Sequence, residues 1–260
     1  MKEILRIARS EDLVGLDQTG LDEIKAHGPP LLGETEAGIY RRSLYRKDDV
    51  LYFVGRTADD KALYAAADRP VDTPFGRLEP SGVGSLHGLR IEMTADAAAT
   101  LGELFPFTRP VSLRNERTTI GMGDRLGVAS PGHIRAARKY HLYPVLAQQS
   151  LRELDYTGRS FADVVADASF AVFQEGFERG FGADADHMKD IASIDGALAE
   201  HMPMITLDLT EVLHPEVAGW DDERVAREYA ALEASFRNRL ERDYLEVGYA
   251  YPFIRPPSEV

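Results

Sequence analysis

Two aspartates followed by a histidine form the pattern in this sequence that is best suited to chemistry. Asp184, Asp186 and His187 lie in residues 183–188, which are predicted to form a short strand. Residues two apart on a strand point to the same side of the sheet, so both carboxylates share one face. Carboxylate oxygen and imidazole nitrogen are ligands of zinc- or manganese-type ions. The pattern predicts either a divalent-metal site or a hydrogen-bonded structural pair.

Other polar side chains follow three further apolar runs. In parallel sheets and barrels the sites collect at the carboxyl ends of strands, so these residues are candidates for one shared cleft. The sets are Asp124 and Arg125, then Gln148, Gln149, Arg152 and Glu153, then Lys189 beside the acidic pair, and finally Thr206 and Asp208. An ordinary ion pair near a loop is the alternative for Arg125, Arg152 and Glu153.

The elements that must position these residues alternate between strand and helix after Pro110. Strands are predicted over residues 118–123, 142–147, 183–188 and 204–209. One helix begins at Ser130 as N-cap with Pro131 in its first turn, and a second has a capping box at Ser160 and ends near Gly180. A third helix covers residues 191–198. Such alternation indicates a parallel sheet with helices packed outside it. Residues 221–244 carry one apolar stripe and are predicted to form a last amphipathic packing helix.

The first hundred residues show a different pattern. Residues 50–55 and 61–66 are strand-like and flank a short turn, which predicts a hairpin. Prolines and glycines over residues 70–84 predict a loop, and a short apolar helix is expected near residues 97–105. We therefore expect an α/β protein with a small β-rich, irregular region at residues 1–115 and a (β/α) repeat region of barrel type at residues 116–260.

Composition excludes several classes of function. The 260 residues include 43 acidic and 30 basic side chains, for a net charge of −13, and no cysteine. Nucleic acid and anionic membranes are unexpected partners, because both need clustered cations, and thiolate chemistry is excluded. No signal-peptide core or long apolar run is present, so we expect a cytoplasmic protein. The glycines at 121, 123 and 127 have the wrong spacing for a dinucleotide loop and are interpreted as turn residues.

Three ordered blocks resemble the tagaturonate epimerase family: residues 120–134, residues 146–154 with 157–159, and residues 182–189. The resemblance implies a TIM-barrel-type scaffold, a divalent metal and the interconversion of tagaturonate and fructuronate in hexuronate breakdown. The Asp186–His187 pair is also similar to the pair that follows a barrel strand in class II, metal-dependent sugar aldolases. In those enzymes the histidine binds the metal and the aspartate moves protons.

These resemblances imply a retro-aldol step, because the inverted carbon lies β to the ketone and its C–H is not acidic. They imply metal binding by His187 with Asp184, and catalysis by Asp186 and Glu153. Substrate contacts are expected from Asp124, Arg125, Gln149 and Lys189. Zn, Mn, Ni and Co all suit such ligands, and the sequence leaves a keto-uronate or a neutral keto-sugar open as substrate.

The predicted units make four strands, whereas a closed barrel needs eight, so an incomplete barrel is expected. Three interpretations stay open. The chain is part of an epimerase completed by a second polypeptide, or it forms a homodimer that completes the barrel, or it is a truncated, non-catalytic relative that acts as a sugar-acid binding or interaction module. A class II-type sugar aldolase is the alternative enzyme.

Overall fold

A computed structural model describes residues 1–26, 31–32 and 36–246. The strands in this part of the chain are β1 (Leu31–Leu32), β2 (Gly38–Ile39), β3 (Tyr45–Lys47), β4 (Val50–Arg56), β5 (Lys61–Ala67), β6 (Asp72–Thr73), β7 (Gly76–Arg77), β8 (Glu79–Val83), β9 (Leu86–Ile91), β10 (Thr119–Gly121), β11 (Tyr143–Ser150), β12 (Gly182–Met188) and β13 (Met204–Leu207).

The α-helices of the same part are α1 (Lys2–Ser10), α2 (Gln18–Ala26), α3 (Ala95–Leu104), α4 (Ser130–Ala137), α5 (Leu151–Thr157), α6 (Phe161–Glu175), α7 (Ile191–Ala199), α8 (Asp222–Ala231) and α9 (Ala234–Leu240). None of these helices has the length and apolar character needed to cross a membrane. The chain divides into two compact units, Met1–Asp208 and a second that begins at Leu209.

An antiparallel sheet with the order β1-β2-β4-β5-β9-β8, to which β3 adds beside β4, forms the first half of the larger unit. The predicted hairpin is confirmed, since β4 and β5 pair directly. Alternation along β4 sends Leu51 and Phe53 into a core with α1, and Tyr52 and Val54 into a second core. Both faces of the two central strands are therefore buried.

The second half is a parallel sheet with the order β10-β11-β12-β13, which confirms the predicted strand and helix alternation. Strands that follow one another in the chain lie side by side, with helices between them. The two central strands, β11 and β12, are mostly buried, whereas all three residues of β10 are exposed and β13 is exposed or half-buried.

Helix α6 packs on both sheets. Its Ala166, Phe170 and Phe173 join the core under β4 and β5, while Val164 and Val172 join the core of the parallel sheet. The predicted capping box at Ser160 is confirmed. The helix ends at Glu175, before the predicted end near Gly180, because Gly176 adopts the left-handed conformation that terminates helices.

Three predictions about secondary structure are wrong. Ser130 is not an N-cap: it is the first helical residue, and its hydroxyl donates to Asp124. Residues 70–84, expected as a loop, contain β6, β7 and β8: β6 pairs with β7, and β8 pairs with β9. The expected single helix over residues 221–244 is α8, α9 and a π-helical segment, because Leu232 and Glu233 have extended backbone conformations.

The boundary proposed at residues 115 and 116 matches the change from antiparallel to parallel strands. As a domain boundary it stays a prediction, since both sheets belong to the unit Met1–Asp208 and share α6.

Candidate active site

An open cleft of about 900 Å³ lies at the carboxyl edge of the parallel sheet. Ser150 ends β11, His187 is near the end of β12, and Asp208 follows β13, so three neighbouring strands contribute to it. The lining residues are Arg125, Ser150, Leu151, Arg152, Glu153, Asp155, Tyr156, Thr157, His187, Lys189 and Asp208. Several of the predicted site residues are therefore brought together.

His187 is directed into the cleft by an irregular backbone. The register between β12 and β13 shifts between Ala185 and Met188, and His187 has a φ of 58°. Such bulges re-aim side chains, and a positive φ is uncommon outside glycine. The imidazole Nε2 lies 3.7 Å from Asp186 Oδ2 and Nδ1 lies 3.4 Å from Asp208 Oδ2. His187 thus stands between two carboxylates from neighbouring strands.

Asp208 was among the sequence candidates for the cleft but was assigned no role there, and the structure places it in the cleft. It lies between His187 and Lys189, whose Nζ is 3.9 Å from the same oxygen that faces the imidazole. Its backbone N–H donates to the carbonyl of Met188 at 2.9 Å, which holds the end of β13 against β12. Its position directly after the fourth apolar run was the available signal.

The pKa of Asp186 is raised above its usual value. Burial is the main cause, and the nearby carboxylates of Asp184 and Glu153 add to it, although His187 opposes the shift. A carboxyl whose pKa is raised holds a proton more readily near neutral pH. Asp186 is therefore suited to accept and return a proton at this edge of the sheet.

Asp184 is placed differently from its neighbours. It is 1% exposed, its carboxylate accepts hydrogen bonds from Gln148 Nε2 and Thr206 Oγ1 at 3.0 Å, and it ties three strands together. Among the described residues, no group of three histidine, aspartate or glutamate side chains is arranged to hold a metal ion. The expected pair of metal ligands, Asp184 and His187, is therefore not a fitting metal site by itself.

Arg125 and Glu153 form an ion pair, the alternative that the sequence left open for them. Glu153 also accepts the backbone N–H of Ser150 at 3.3 Å in the capping box that begins α5. Arg125 is largely exposed and Glu153 is not. Both residues also line a second cleft of about 540 Å³, which contains Asp186 and Gln148. The ion pair therefore lies between two adjoining clefts.

Asp124 organises the loop between β10 and α4. Its carboxylate accepts hydrogen bonds from the backbone N–H groups of Leu126, Val128, Ala129 and Ser130. Burial opposes its ionisation, but these hydrogen bonds outweigh the burial and lower its pKa. Its oxygens therefore organise the loop and the helix N-terminus, while Asp124 also lines the 540 Å³ cleft, and its expected contact with substrate stays a prediction.

Gln149 is engaged within the fold, and its expected role as a substrate contact stays a prediction. Its side chain is fully buried, donates to Thr157 Oγ1 and accepts from Arg159, each at 3.1 Å, and lines neither cleft. Successive strand residues face opposite ways, so the adjacent Gln148 is the one that reaches the second cleft. Gly121 and Gly123 allow this approach, since a Cβ at Gly123 would lie 2.6 Å from the Gln148 carbonyl oxygen.

The fold and the cleft define an α/β protein with ionisable groups at the carboxyl edge of parallel strands, where enzymes of this fold class place their active sites. A family model described as tagaturonate epimerase matches residues 40–252. The chain belongs to this family.

Known relatives agree with this assignment. The chain is 36% identical over 172 residues, 65% of its length, to the tagaturonate/fructuronate epimerase of Thermotoga maritima. It also resembles crystal structures of the fructuronate-tagaturonate epimerase of Cohnella laeviribosi, at 33% identity. The native structure has a TM-score of 0.64 over 80% of this chain, and a glycerol complex has 0.67 over 88%. The chain spans 35% of the first relative and 42–44% of the second.

Proposed function

We propose that this chain carries part of the active site of an epimerase that interconverts tagaturonate and fructuronate. The supporting observation is the group formed by Asp186, His187 and Asp208 at the carboxyl edge of the sheet, in a chain of the tagaturonate epimerase family. His187 and Asp208 line the larger cleft there, and Asp186 lines the cleft that adjoins it. The relatives are named for this interconversion, and their activity is the source of the proposed substrates.

The proposed reaction is a retro-aldol step followed by its reversal. A base removes the proton from the hydroxyl on the inverted carbon, the bond to the carbon next to the ketone breaks, and its electron pair forms an enediolate. The inverted carbon becomes a planar aldehyde, which rotates and is attacked on its other face. The proton then returns to the new alkoxide, so atoms and charge balance.

Asp186 takes the role of this base in the proposal, since its raised pKa suits reversible proton transfer. His187 lies next to it and is oriented by Asp208. Lys189 brings a positive charge to the same cleft and is the proposed contact for the substrate carboxylate. Glu153 holds Arg125 at the boundary between the two clefts and is assigned to positioning rather than to proton transfer.

We also propose that the parallel sheet is one half of a TIM-type barrel. The exposed strands β10 and β13 are the edges where further strands would pair, supplied by the rest of a longer polypeptide, by a second polypeptide or by a second copy. The cytoplasmic location stays a prediction.

The divalent-metal requirement also stays a prediction. In the part of the chain that the structure describes, His187 and the carboxylates beside it are not arranged as a set of three metal ligands, so no step of the proposed reaction is derived through a metal. Elemental analysis of the purified chain beside His187→Ala tests whether the chain holds an ion.

The main experiment follows tagaturonate with the purified chain in D2O, by NMR. We expect fructuronate to form without deuterium at the inverted carbon, because a retro-aldol step never removes that hydrogen. Asp186→Asn should lower kcat by at least about 100-fold. Asp195→Asn, an exposed change on α7 outside both clefts, is the matched control. Deuterium at that carbon would contradict the retro-aldol step.

The same assay separates the alternatives. Release of two carbonyl products would indicate a sugar aldolase. Binding of tagaturonate without turnover would favour a sugar-acid binding module.

A further inference from the structure

A third cleft, of about 690 Å³, lies at the end of the parallel sheet opposite the candidate active site. Its walls come from residues 40–42, from the end of α4 and from the end of α6. Since α4 leads into β11 and α6 leads into β12, the carboxyl ends of both helices lie at the amino edge of the sheet. The lining residues are Tyr40, Arg41, Arg42, Arg135, Arg138, Lys139, Gln174 and Glu175, which we name the basic cleft.

The basic cleft concentrates positive charge in a chain whose net charge is −13. Five cations share it with one carboxylate, that of Glu175. The two helix carboxyl ends contribute roughly −0.5 charge each, so about three positive charges exceed the negative charge of the cleft.

Glu175 anchors the floor of the basic cleft. Its side chain is 4% exposed and accepts two hydrogen bonds from Arg135, at 2.7 and 3.1 Å, and one from Gln174 at 3.1 Å. Arg42 is 3.7 Å from the same carboxylate. Arg135 is therefore a structural partner of Glu175, whereas Arg42 makes a longer contact and is half exposed.

Arg138 is held at the cleft by the end of α6, because it donates to the carbonyl oxygens of Glu175 and Gly176. Burial and, after it, the charge of Arg42 lower the pKa of Arg138. Cations are thus crowded here at an electrostatic cost that a bound anion would relieve.

The backbone keeps the walls close together. Gly176 has a φ of 56°, and a Cβ at this position would lie 2.6 Å from the carbonyl oxygen of Arg42. The glycine therefore permits the segment of Arg42 to lie against the end of α6. The basic cleft is a packed feature of the fold and not a chance grouping of surface side chains.

We propose that the basic cleft binds a small phosphate-bearing molecule at a site separate from the candidate active site. A phosphate monoester carries about two negative charges and offsets more of the positive excess of the cleft than a uronate, which carries one. Guanidinium groups fit phosphate oxygens by paired hydrogen bonds, and the volume lies in the range of small-molecule sites. Tyr40 supplies an aromatic wall for the organic part of the ligand.

Calorimetric titration of the purified chain with inorganic phosphate, pyrophosphate and a hexose 6-phosphate tests the proposal, with acetate as the singly charged comparison. We expect one site per chain, which prefers the phosphate compounds to acetate. If the hexose 6-phosphate binds more tightly than inorganic phosphate, the ligand of the basic cleft is an organic phosphate. If inorganic phosphate binds more tightly, the ligand is free phosphate.

The double variant Arg42→Gln/Lys139→Gln should weaken phosphate binding by about tenfold or more. Both residues are exposed, so the fold should be retained, and circular dichroism checks this. The control Lys47→Gln/Arg77→Gln removes the same charge from exposed positions outside the cleft and should bind within about twofold of the unchanged chain.

No saturable phosphate binding, or equal losses in the two double variants, would overturn the proposal. His187→Ala and Lys189→Gln test whether phosphate binds at the candidate active site instead. Loss of phosphate affinity in these variants would contradict binding at the basic cleft. Epimerase activity of the Arg42→Gln/Lys139→Gln variant without phosphate should be unchanged, so the two proposals fail or succeed separately.

Discussion

The antiparallel and parallel sheets are held by different interactions. Strands β4 and β5 are covered on both faces by apolar side chains, whereas the parallel sheet has exposed outer strands and a carboxyl edge crossed by polar contacts. Parallel sheets are usually covered on all sides, so this one is the more open of the two. The candidate active-site residues therefore lie on the sheet that is less covered by other parts of the chain.

The loops around the cleft are fixed by hydrogen bonds instead of by an apolar core. Asp124 holds the loop before α4, Gln149 and Arg159 hold the end of α5, and Asp184 joins three strands. An open cleft must admit water, so apolar packing cannot fix its walls alone. The first sheet therefore supplies stability, and the second supplies a site organised by polar groups.

The same substitution in the two sheets gives the largest expected difference. Leu63 in β5 is 0% exposed and Leu207 in β13 is 55% exposed. Leu63→Ala should lower the free energy of unfolding by about 2–5 kcal/mol, because it leaves a cavity. Leu207→Ala should change it by less than about 0.5 kcal/mol. Urea unfolding measures the free energy of unfolding of both variants, and similar losses would contradict the stated difference between the two sheets.

Two glycines that end helices test how closely each region is packed. Gly176, beside Arg42, and Gly158, at the end of α5, both have positive φ, but a Cβ at Gly158 meets nothing within 4 Å. Gly158→Ala should cost about 1 kcal/mol from backbone strain. Gly176→Ala should cost about 2–3 kcal/mol, since strain and a clash add. Thermal unfolding ranks the two variants, and equal costs would show that the Arg42 segment yields.

Acid should weaken the polar loop through Asp124. Its pKa is lower in the folded chain than the unfolded value near 3.9, so its ionised form stabilises the fold above about pH 4, and this stabilisation is lost as the pH falls through the folded pKa. At pH 7, Asp124→Asn should lower the free energy of unfolding by about 1–2 kcal/mol.

Urea unfolding at pH 7, 5 and 3 checks this prediction. The difference between the unchanged chain and Asp124→Asn should be the same at pH 7 and 5 and smaller at pH 3. A difference that grows in acid would contradict the assigned direction. Asp163→Asn, which removes a carboxylate from the exposed capping box of α6, provides a comparison from an exposed position.

Much of the fold follows from local sequence patterns. The hairpin of β4 and β5, the four parallel strands and the capping box of α6 depend on residue spacing within a few turns or strands, and each is confirmed. The helix expected over residues 221–244 failed because an apolar stripe fixes a continuous helix only when packing supports it. Val225 and Phe236, from that stripe, are exposed.

The position of the candidate site could be predicted from the sequence, but the roles of its individual residues could be predicted less well. Strand ends located the cleft, yet the bulge at His187 and the choice between Gln148 and Gln149 depend on register between strands. The pairing of Asp208 with His187 was not predicted, because His187 lies on the neighbouring strand. Such contacts arise from tertiary structure and leave no pattern in nearby residues.

Helix α6 couples the stability of the antiparallel sheet to that of the parallel sheet. Ala166, Phe170 and Phe173 face one core while Val164 and Val172 face the other, so loss of either sheet exposes apolar surface on the helix that serves the remaining one. The sheets should therefore unfold cooperatively, and amides in β5 and β11 should exchange with solvent through the same opening event. A substitution in the apolar residues of α6 should therefore change the stability of both sheets, which restricts the sequences that the helix tolerates.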